Sequence, residues 1–442
     1  MQGERVRKEG PDDGAFGRSR LAAFGRRAFL SGSAALLGIG CQEPYPRGRE
    51  IVPLWFTYGG KNREVLEALV RRFNASQERD YVHPVYQGDY FEGLAKLRTA
   101  LAAGAAPPLS HVVGEIVPYL AEAGVLAPLG HDEEVSRFEI VPELGQAGSF
   151  IGGAEHPLYL LPFNRSTPIA YLNGAVFERA GLAAPRTWSE LRETARALTV
   201  RRGGTVERFG FSCPIDWWFW TALVGQAGGD VVEPTGRVSL GGEAGVEALE
   251  LWRTLVLTDK TMKPPPGRDY NAWQKTNQDF LAGQVAMIWT STAFLRYLED
   301  NARFPVVAAP LPRAARFAVP TGGTHWVILK SAPSKQREAA FRFLGFMQET
   351  AQVIAWSTAT GYLPVTRPAV AELERTGYYA KHPNDRVALD QLDHARPWPW
   401  SAELFRVQRE IVQPKLELAV LSDRPAREVL DGARALASRS SG

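Results

Sequence analysis

Along this chain, short continuous apolar runs alternate with stretches in which apolar residues return every third or fourth position, the signatures of buried strands and amphipathic helices. Residues 51–56 form the first run. Thr57-Tyr58-Gly59-Gly60 follows, then Val65, Leu66, Leu69, Val70 and Phe73 at helical spacing, which predicts a strand, a glycine turn and a helix over 63–74. The signals recur as strand 82–86 with helix 90–103, whose Phe91, Leu94, Leu97 and Leu101 share a face. Strand 110–113 comes next, ending near Glu115, then a helix over 119–123 that Gly124 is placed to terminate. Such alternation predicts an α/β fold with parallel pairing. In open sheets of that class ligands bind beyond the strand ends, where Tyr58, Tyr90 and Glu115 fall.

Two apolar runs, 158–161 and 169–172, flank the polar tract Pro162-Phe163-Asn164-Arg165-Ser166-Thr167-Pro168. Its prolines fix φ and bias their predecessors towards extended geometry, so residues 163–167 are expected to cross stiffly between two lobes and serve as a hinge. Asn164, Ser166 and Thr167 would offer donors and acceptors to a hydroxyl-rich ligand there. An ordinary polar surface loop is the alternative. Beyond it, residues 174–180 read as a short helix, and Thr187 with Glu190 is spaced as a capping box opening another. Strand 209–212 leads into Pro214-Ile215-Asp216-Trp217-Trp218-Phe219-Trp220, where four consecutive rings cannot share one helix face. Two rings in the core and two half-exposed is the competing arrangement.

Helices are expected over 244–256 and 277–282. Strand 285–289 runs into Thr290-Ser291-Thr292-Ala293, whose hydroxyls and backbone N–H groups suit an oxygen-rich or anionic group, or simply cap helix 293–299. Strand 305–311 is expected to lead back to the first lobe, followed by a Gly322-Gly323 turn, strand 321–329 and helices 334–348 and 351–358. A second extended crossing spans 361–365. The remainder is mainly helical, with Pro397-Trp398-Pro399-Trp400 before a helix over 402–420.

A chain of 442 residues is too long for one ordinary core, so two domains of about 200 residues, or two lobes of interleaved segments, are expected. With 45% hydrophobic and 22% charged residues it has the composition of a soluble globular protein, and a net charge of +3 gives no footing to nucleic-acid binding. Twelve Trp and thirteen Tyr are a generous supply of the flat rings that cover sugar faces. No phosphate loop, metal-ligand spacing or cofactor motif is present, so no cofactor and no metal are expected. Cys41 and Cys213 are the only cysteines; the mature fold should lack a disulfide, with Cys213 a small buried side chain.

Residues 1–40 have the layout of an export signal: a charged, Arg-rich start, then Arg26-Arg27-Ala28-Phe29-Leu30 and an apolar run too short to span a bilayer. The paired arginines resemble a twin-arginine signal. Leu37-Gly38-Ile39-Gly40-Cys41 resembles a bacterial lipobox, which implies lipidation of Cys41, with residues 41–50 as a tether to a membrane surface.

From residue 51 onwards the chain resembles the extracellular solute-binding proteins of carbohydrate ABC transporters, the family of the maltose-binding and glycerol-3-phosphate-binding proteins. Pro162 to Pro168, Thr187-Trp188-Ser189-Glu190-Leu191, Phe280-Leu281-Ala282-Gly283-Gln284-Val285-Ala286-Met287, Gly322-Gly323 and Thr360-Gly361-Tyr362-Leu363-Pro364-Val365 carry the resemblance, in that order. It implies a type II, two-lobed α/β fold with a hinge, lobe I comprising 51–163 and 305–349 and lobe II 164–304 and 350–442. Carried over from the glycerol-3-phosphate binders, ligand contacts would be Tyr90, Ser166, Trp217, Ser291 or Thr292, Gly322 or Gly323, and Tyr362, with the acidic contact at Gly114 or, preferably, Glu115. Tyr58, Asn164, Asp216, Trp220 and Trp400 complete the candidate lining. Pro214 stands where a second cleft tryptophan would be, and Ser401 where an arginine would grip phosphate, which favours a neutral sugar or oligosaccharide over glycerol-3-phosphate or a glycerophosphodiester. The implied protein is an exported, membrane-anchored monomer of the cell envelope or periplasm that hands its ligand to ABC permease subunits. A secreted carbohydrate-active enzyme using Glu115 and Asp216 as paired carboxylates is the rival from another class, and a partner of a membrane sensor a further one.

Overall fold

The computed structural model describes residues 45–129, 135–145, 158–233, 237–396, 398 and 400–439. The export segment, Cys41 and most of the tether lie outside the described residues. Residues 47–442 form one compact unit containing two five-stranded sheets.

The first sheet is built from β1 (Glu50–Phe56), β2 (Asp80–Tyr86), β3 (Leu109–Val113), β4 (Leu161–Ser166) and, from much later in the chain, a strand over Gly322–Ile328. β1 pairs in parallel with β2 and β3, joined by helices Gly60–Ser76 and Tyr90–Ala102. Their apolar faces, Leu66, Leu69, Val70 and Phe73 on one and Leu94 and Leu97 on the other, are buried, as the helical spacing predicts. The second sheet comprises β5 (Pro168–Asn173), β6 (Val200–Arg202), β7 (Thr205–Ser212), β8 (Val285–Ser291) and β9 (Val306–Ala309), in the order β6-β7-β8-β5-β9. β8 is buried along its whole length, which its unbroken apolar start anticipates. Two short strands, β10 (Val319–Pro320) and β12 (Ala395–Arg396), pair beside the second sheet, and β11 is the Gly322–Ile328 strand.

Several expectations change in the structure. The polar tract after Leu161 is itself the strand: β4 takes in Pro162, Asn164 and Arg165 and pairs antiparallel with β11. Proline is tolerated because β4 is the edge of its sheet, and the exposed edge is covered, with Gln348 donating to the Pro162 carbonyl at 2.9 Å and Leu363 N–H to that of Arg165 at 2.8 Å. The crossing between sheets is then Thr167 alone, and it is buried, not a surface loop. Residues 306–309 do not return to the first lobe; they pair with β5 as the outer strand of the second sheet. Their apolar run fits any open edge, and β5 offers the one at hand. Helix Thr350–Thr360 packs on both sides, against helix Gly60–Ser76 with Arg72 donating to Gln352 at 2.8 Å, and against helices Leu295–Asn301 and Arg367–Arg375 with Arg296 Nε donating to the Thr358 carbonyl at 2.9 Å. Thr187 does cap helix Trp188–Leu198, but Glu190 bonds the Arg186 N–H, leaving that box incomplete; the complete one is Asp89 with Glu92, at the start of helix Tyr90–Ala102.

The glycine pair is where backbone most needs the absence of a side chain. Gly323 has φ +96°, and a Cβ there would sit 1.9 Å from the Asn164 carbonyl oxygen; a Cβ on Gly322 would sit 2.6 Å from the Trp218 ring. Gly323→Ala should therefore lower unfolding stability by about 2 kcal/mol or more, measured by urea titration, whereas Gly181→Ala, with the same sign of φ but open space around it, should cost less.

Candidate ligand-binding site

Between the sheets lies a cavity of about 260 Å³, against about 40 Å³ for a hollow beside Arg396. The first lobe contributes Tyr58 after β1, Tyr86 at the end of β2, Asp89, Tyr90 and Phe91 at a helix start, and Glu115 after β3. The second contributes Asp216, Trp217 and Trp218, then Tyr270 and Trp273 from helix Asp269–Leu281, and Ser291 at the end of β8. Ser166, Gly322, Gly323 and Tyr362 line it from the crossings. Strand ends supply most of these groups because the backbone there is released from the ladder and side chains face the space between lobes.

The first-lobe wall is held by a buried chain of hydrogen bonds whose polarity one backbone group sets. Thr57 N–H donates to His111 Nε2 at 2.9 Å, so that nitrogen is an acceptor and the ring proton sits on Nδ1, which lies 3.0 Å from Thr324 Oγ1. Burial holds the imidazole neutral, pushing its pKa down to about 3. The Thr324 hydroxyl and its N–H, the latter at 2.6 Å, both reach Asn164 Oδ1. That fixes the amide's orientation and leaves Nδ2 to donate to Tyr90 Oη at 3.1 Å. Tyr90 Oη lies 3.2 Å from Tyr362 Oη, so its own proton is available to that neighbour or to a ligand. Asn164 is thus behind the cavity wall, orienting Tyr90. Tyr362 is backed in turn by Trp356, stacked at 5.6 Å, and Trp356 by Phe163 at 4.6 Å.

The second-lobe wall is aromatic. Trp218 and Trp273 stack at 5.3 Å and 18°, and Trp217 meets Trp398 edge-on. Asp216 caps helix Trp217–Gln226 through Trp218 N–H at 2.8 Å. The Trp218 and Trp398 indoles both donate to the Thr321 carbonyl, at 3.3 and 2.8 Å, tying the aromatic wall to the crossing that carries the glycine pair. Glu115 is 5% exposed, and burial pushes its pKa up to about 7, opposed by its own backbone N–H and the Arg165 guanidinium and assisted by Asp216. Tyr58 lines the cavity with its hydroxyl buried and without a hydrogen-bond partner among the described residues.

Of the residues expected at a site, Tyr58, Tyr90, Glu115, Ser166, Asp216, Trp217, Ser291, Gly322, Gly323 and Tyr362 share this cavity. Four do not line it, Asn164 being the one behind the wall that orients Tyr90. Trp220 is wholly buried, its indole N–H donating to the Gly245 carbonyl. Thr292 is turned to the crossing, its Oγ1 accepting from Thr167 N–H. Trp400 donates to Glu122 at 3.0 Å. Of the four-ring run, Trp217 is half-buried and Trp218, Phe219 and Trp220 are buried. Sequence reasoning passed over Asn62, Tyr86, Asp89, Phe91, Trp218 as a lining group, Tyr270, Trp273 and Phe294. The Asp89 cap is a usable signal for Asp89 and Phe91; nothing local distinguishes Trp273 from a core residue.

The sequence profile of the bacterial extracellular solute-binding proteins matches residues 68–384. The chain is 25% identical over 408 residues, 86% of its length and 90% of the relative's, to the sn-glycerol-3-phosphate-binding periplasmic protein UgpB of Salmonella typhimurium. Among solved structures it is similar to UgpB from Mycobacterium tuberculosis in complex with glycerophosphocholine (TM-score 0.76, 25% identity, 87% of this chain and 97% of that one). It is also similar in fold to the GacH receptor of Streptomyces glaucescens, a structure solved with acarbose (TM-score 0.75, 21% identity, 88% and 97%).

Two outcomes check the geometry. Asn164→Ala strands the Thr324 N–H in the interior and should cost about 2–3 kcal/mol of stability, read by denaturant unfolding. Glu115 holds a proton in the folded state that the unfolded chain releases above its ordinary value of 4.5, so its contribution is full below that value and lost as pH rises through about 7. His111 and His325 are depressed and work the other way, their contributions lost as pH falls below 6.5, but they cancel between variants. The stability of the unliganded wild type relative to Glu115→Gln should fall by about 3 kcal/mol from below pH 4.5 to above pH 7, measured by urea titration across pH.

Proposed function

The chain belongs to the bacterial extracellular solute-binding protein family, and from that premise we propose that it captures a sugar or oligosaccharide between its lobes and delivers it to the membrane subunits of an ABC importer. The observation that carries this reading is the composition of the cavity: tryptophan and tyrosine faces set opposite a row of hydroxyl, amide-oriented phenol and carboxylate groups. Rings cover the apolar faces of pyranoses, and the polar groups bond their hydroxyls. The lobes close by dihedral change at the three passages, near Thr167, at Thr321 between β10 and β11, and around helix Thr350–Thr360.

Glycerol-3-phosphate or a glycerophosphodiester is the second reading, favoured by the relatives that bind such ligands by name. Against it stands the lining itself, which holds no Lys or Arg. The twin-arginine-like segment and the sequence before Cys41 support export and lipid anchoring; among the described residues no helix is long and apolar enough to cross a membrane. The protein acts as a carrier and not as an enzyme, and works as a monomer.

A thermal-shift panel of sugars and glycerophosphodiesters tests the assignment. The best sugar should raise the melting temperature in proportion to its binding free energy, Trp217→Ala should remove that shift while the unliganded transition stays in place, and incubation with oligosaccharides should leave them uncleaved. A shift confined to phosphodiesters, or cleavage products, would reject the reading.

A further inference from the structure

The cavity carries carboxylates and no cation. Glu115 comes from the first lobe and Asp216 from the second, and both reach the cavity, close enough that the charge on Asp216 raises the pKa of Glu115. Glu115 is almost fully buried, and the hydrogen bond its carboxylate makes is to its own backbone N–H. Asp89, also in the lining, is engaged as a helix cap. None of the lining residues is Lys, Arg or His. The neighbouring guanidinium, Arg165, lies behind the wall, wholly buried, with Nη2 on Thr321 Oγ1 at 2.9 Å; its charge acts on Glu115 without lining the space a ligand enters.

Arg165 favours ionisation of Glu115 and Asp216 opposes it, while Arg409 is engaged over the Phe91 ring. With Glu115 ionised, the carboxylates of Glu115 and Asp216 both line a space that no cationic side chain lines, between apolar rings, which is costly. A positive group on the ligand supplies the missing charge. The walls suit such a group, because Trp217, Trp218 and Trp273 adjoin Asp216 and ring faces attract cations as well as covering sugar rings. A phosphate would meet carboxylates of its own sign. Resting on the reading of this cavity as a sugar site, we propose that its sugar bears a protonated amine, seated between the carboxylates of Glu115 and Asp216. Binding then takes the proton from Glu115, so affinity for an amino sugar rises with pH as that carboxylate ionises, while affinity for a neutral sugar does not.

The test is calorimetric titration of the purified chain with matched sets: glucosamine and galactosamine mono- and disaccharides, their neutral counterparts, and their N-acetylated forms, which keep the bulk and lose the charge. The amino sugar should bind at least about tenfold tighter than both controls near neutral pH, with the preference shrinking towards about pH 5.5. Glu115→Gln should abolish the preference, so that the amino sugar and its neutral counterpart bind alike at every pH, with the melting transition of the variant checked alongside. Should that variant not fold, the pH series on the wild type decides in its place. Neutral or N-acetylated sugars binding as tightly as the amine, or a preference that survives Glu115→Gln or does not change with pH, overturns this inference and leaves the sugar reading standing. Failure of every sugar to bind overturns both.

Discussion

Three passages of backbone between the two sheets lie close together inside the protein, and every polar group on them has to find a partner there because water does not reach it. Thr167 is the first passage, its N–H and carbonyl both bonded to Thr292 and its hydroxyl to Gln391. The third, at Leu363, bonds back to the Arg165 carbonyl beside it. The second leads to Thr321, whose carbonyl takes two indole donors and whose hydroxyl takes Arg165. A hinge built this way is buried and bonded along its backbone, so motion at it is confined to a few torsions in place of general looseness.

That constraint gives the cleft its asymmetry. The first-lobe wall inherits the order of the crossing through Asn164, which takes its orientation from Thr324 and passes it to Tyr90. Phe163 and Trp356, stacked behind Tyr362, add an apolar backing that fixes the second phenol. The opposite wall presents flat rings and one carboxylate, positioned by a helix whose cap is that carboxylate. Such a pairing of a directional polar wall with a broad apolar one suits ligands with hydroxyls on the edge and C–H groups on the faces. Glu115 is buried in the first-lobe wall, where burial and the charge on Asp216 raise its pKa.

Much of the α/β framework was legible because apolar spacing is a local signal. Helix Gly174–Ala180 lies where expected, and helix Gly60–Ser76 exceeds its expected span only by its polar ends. The polar tract at 162–167 is extended, as its prolines predict, but most of it is a paired strand and not a free crossing; the edge position of β4 is what lets a proline take part in a ladder. Trp220 and Trp217 look equivalent on paper; one helix turn separates a core ring from a lining one. Trp273 and Tyr270 arrive from a helix more than fifty positions downstream of Asp216, and no local pattern announces such a meeting.

By itself the chain's pattern of apolar and polar positions determined the element types, the alternation that makes two α/β halves, the glycine pair and the aromatic richness, since each depends on neighbours a few residues apart. Which half residues 306–309 join, how helix Thr350–Thr360 packs against both halves, which tryptophans face the cleft and what surrounds Glu115 were decided only in three dimensions. The physical reason is that edge pairing, burial and charge balance are properties of groups brought together across hundreds of residues, and their energies do not exist until the fold has closed around them.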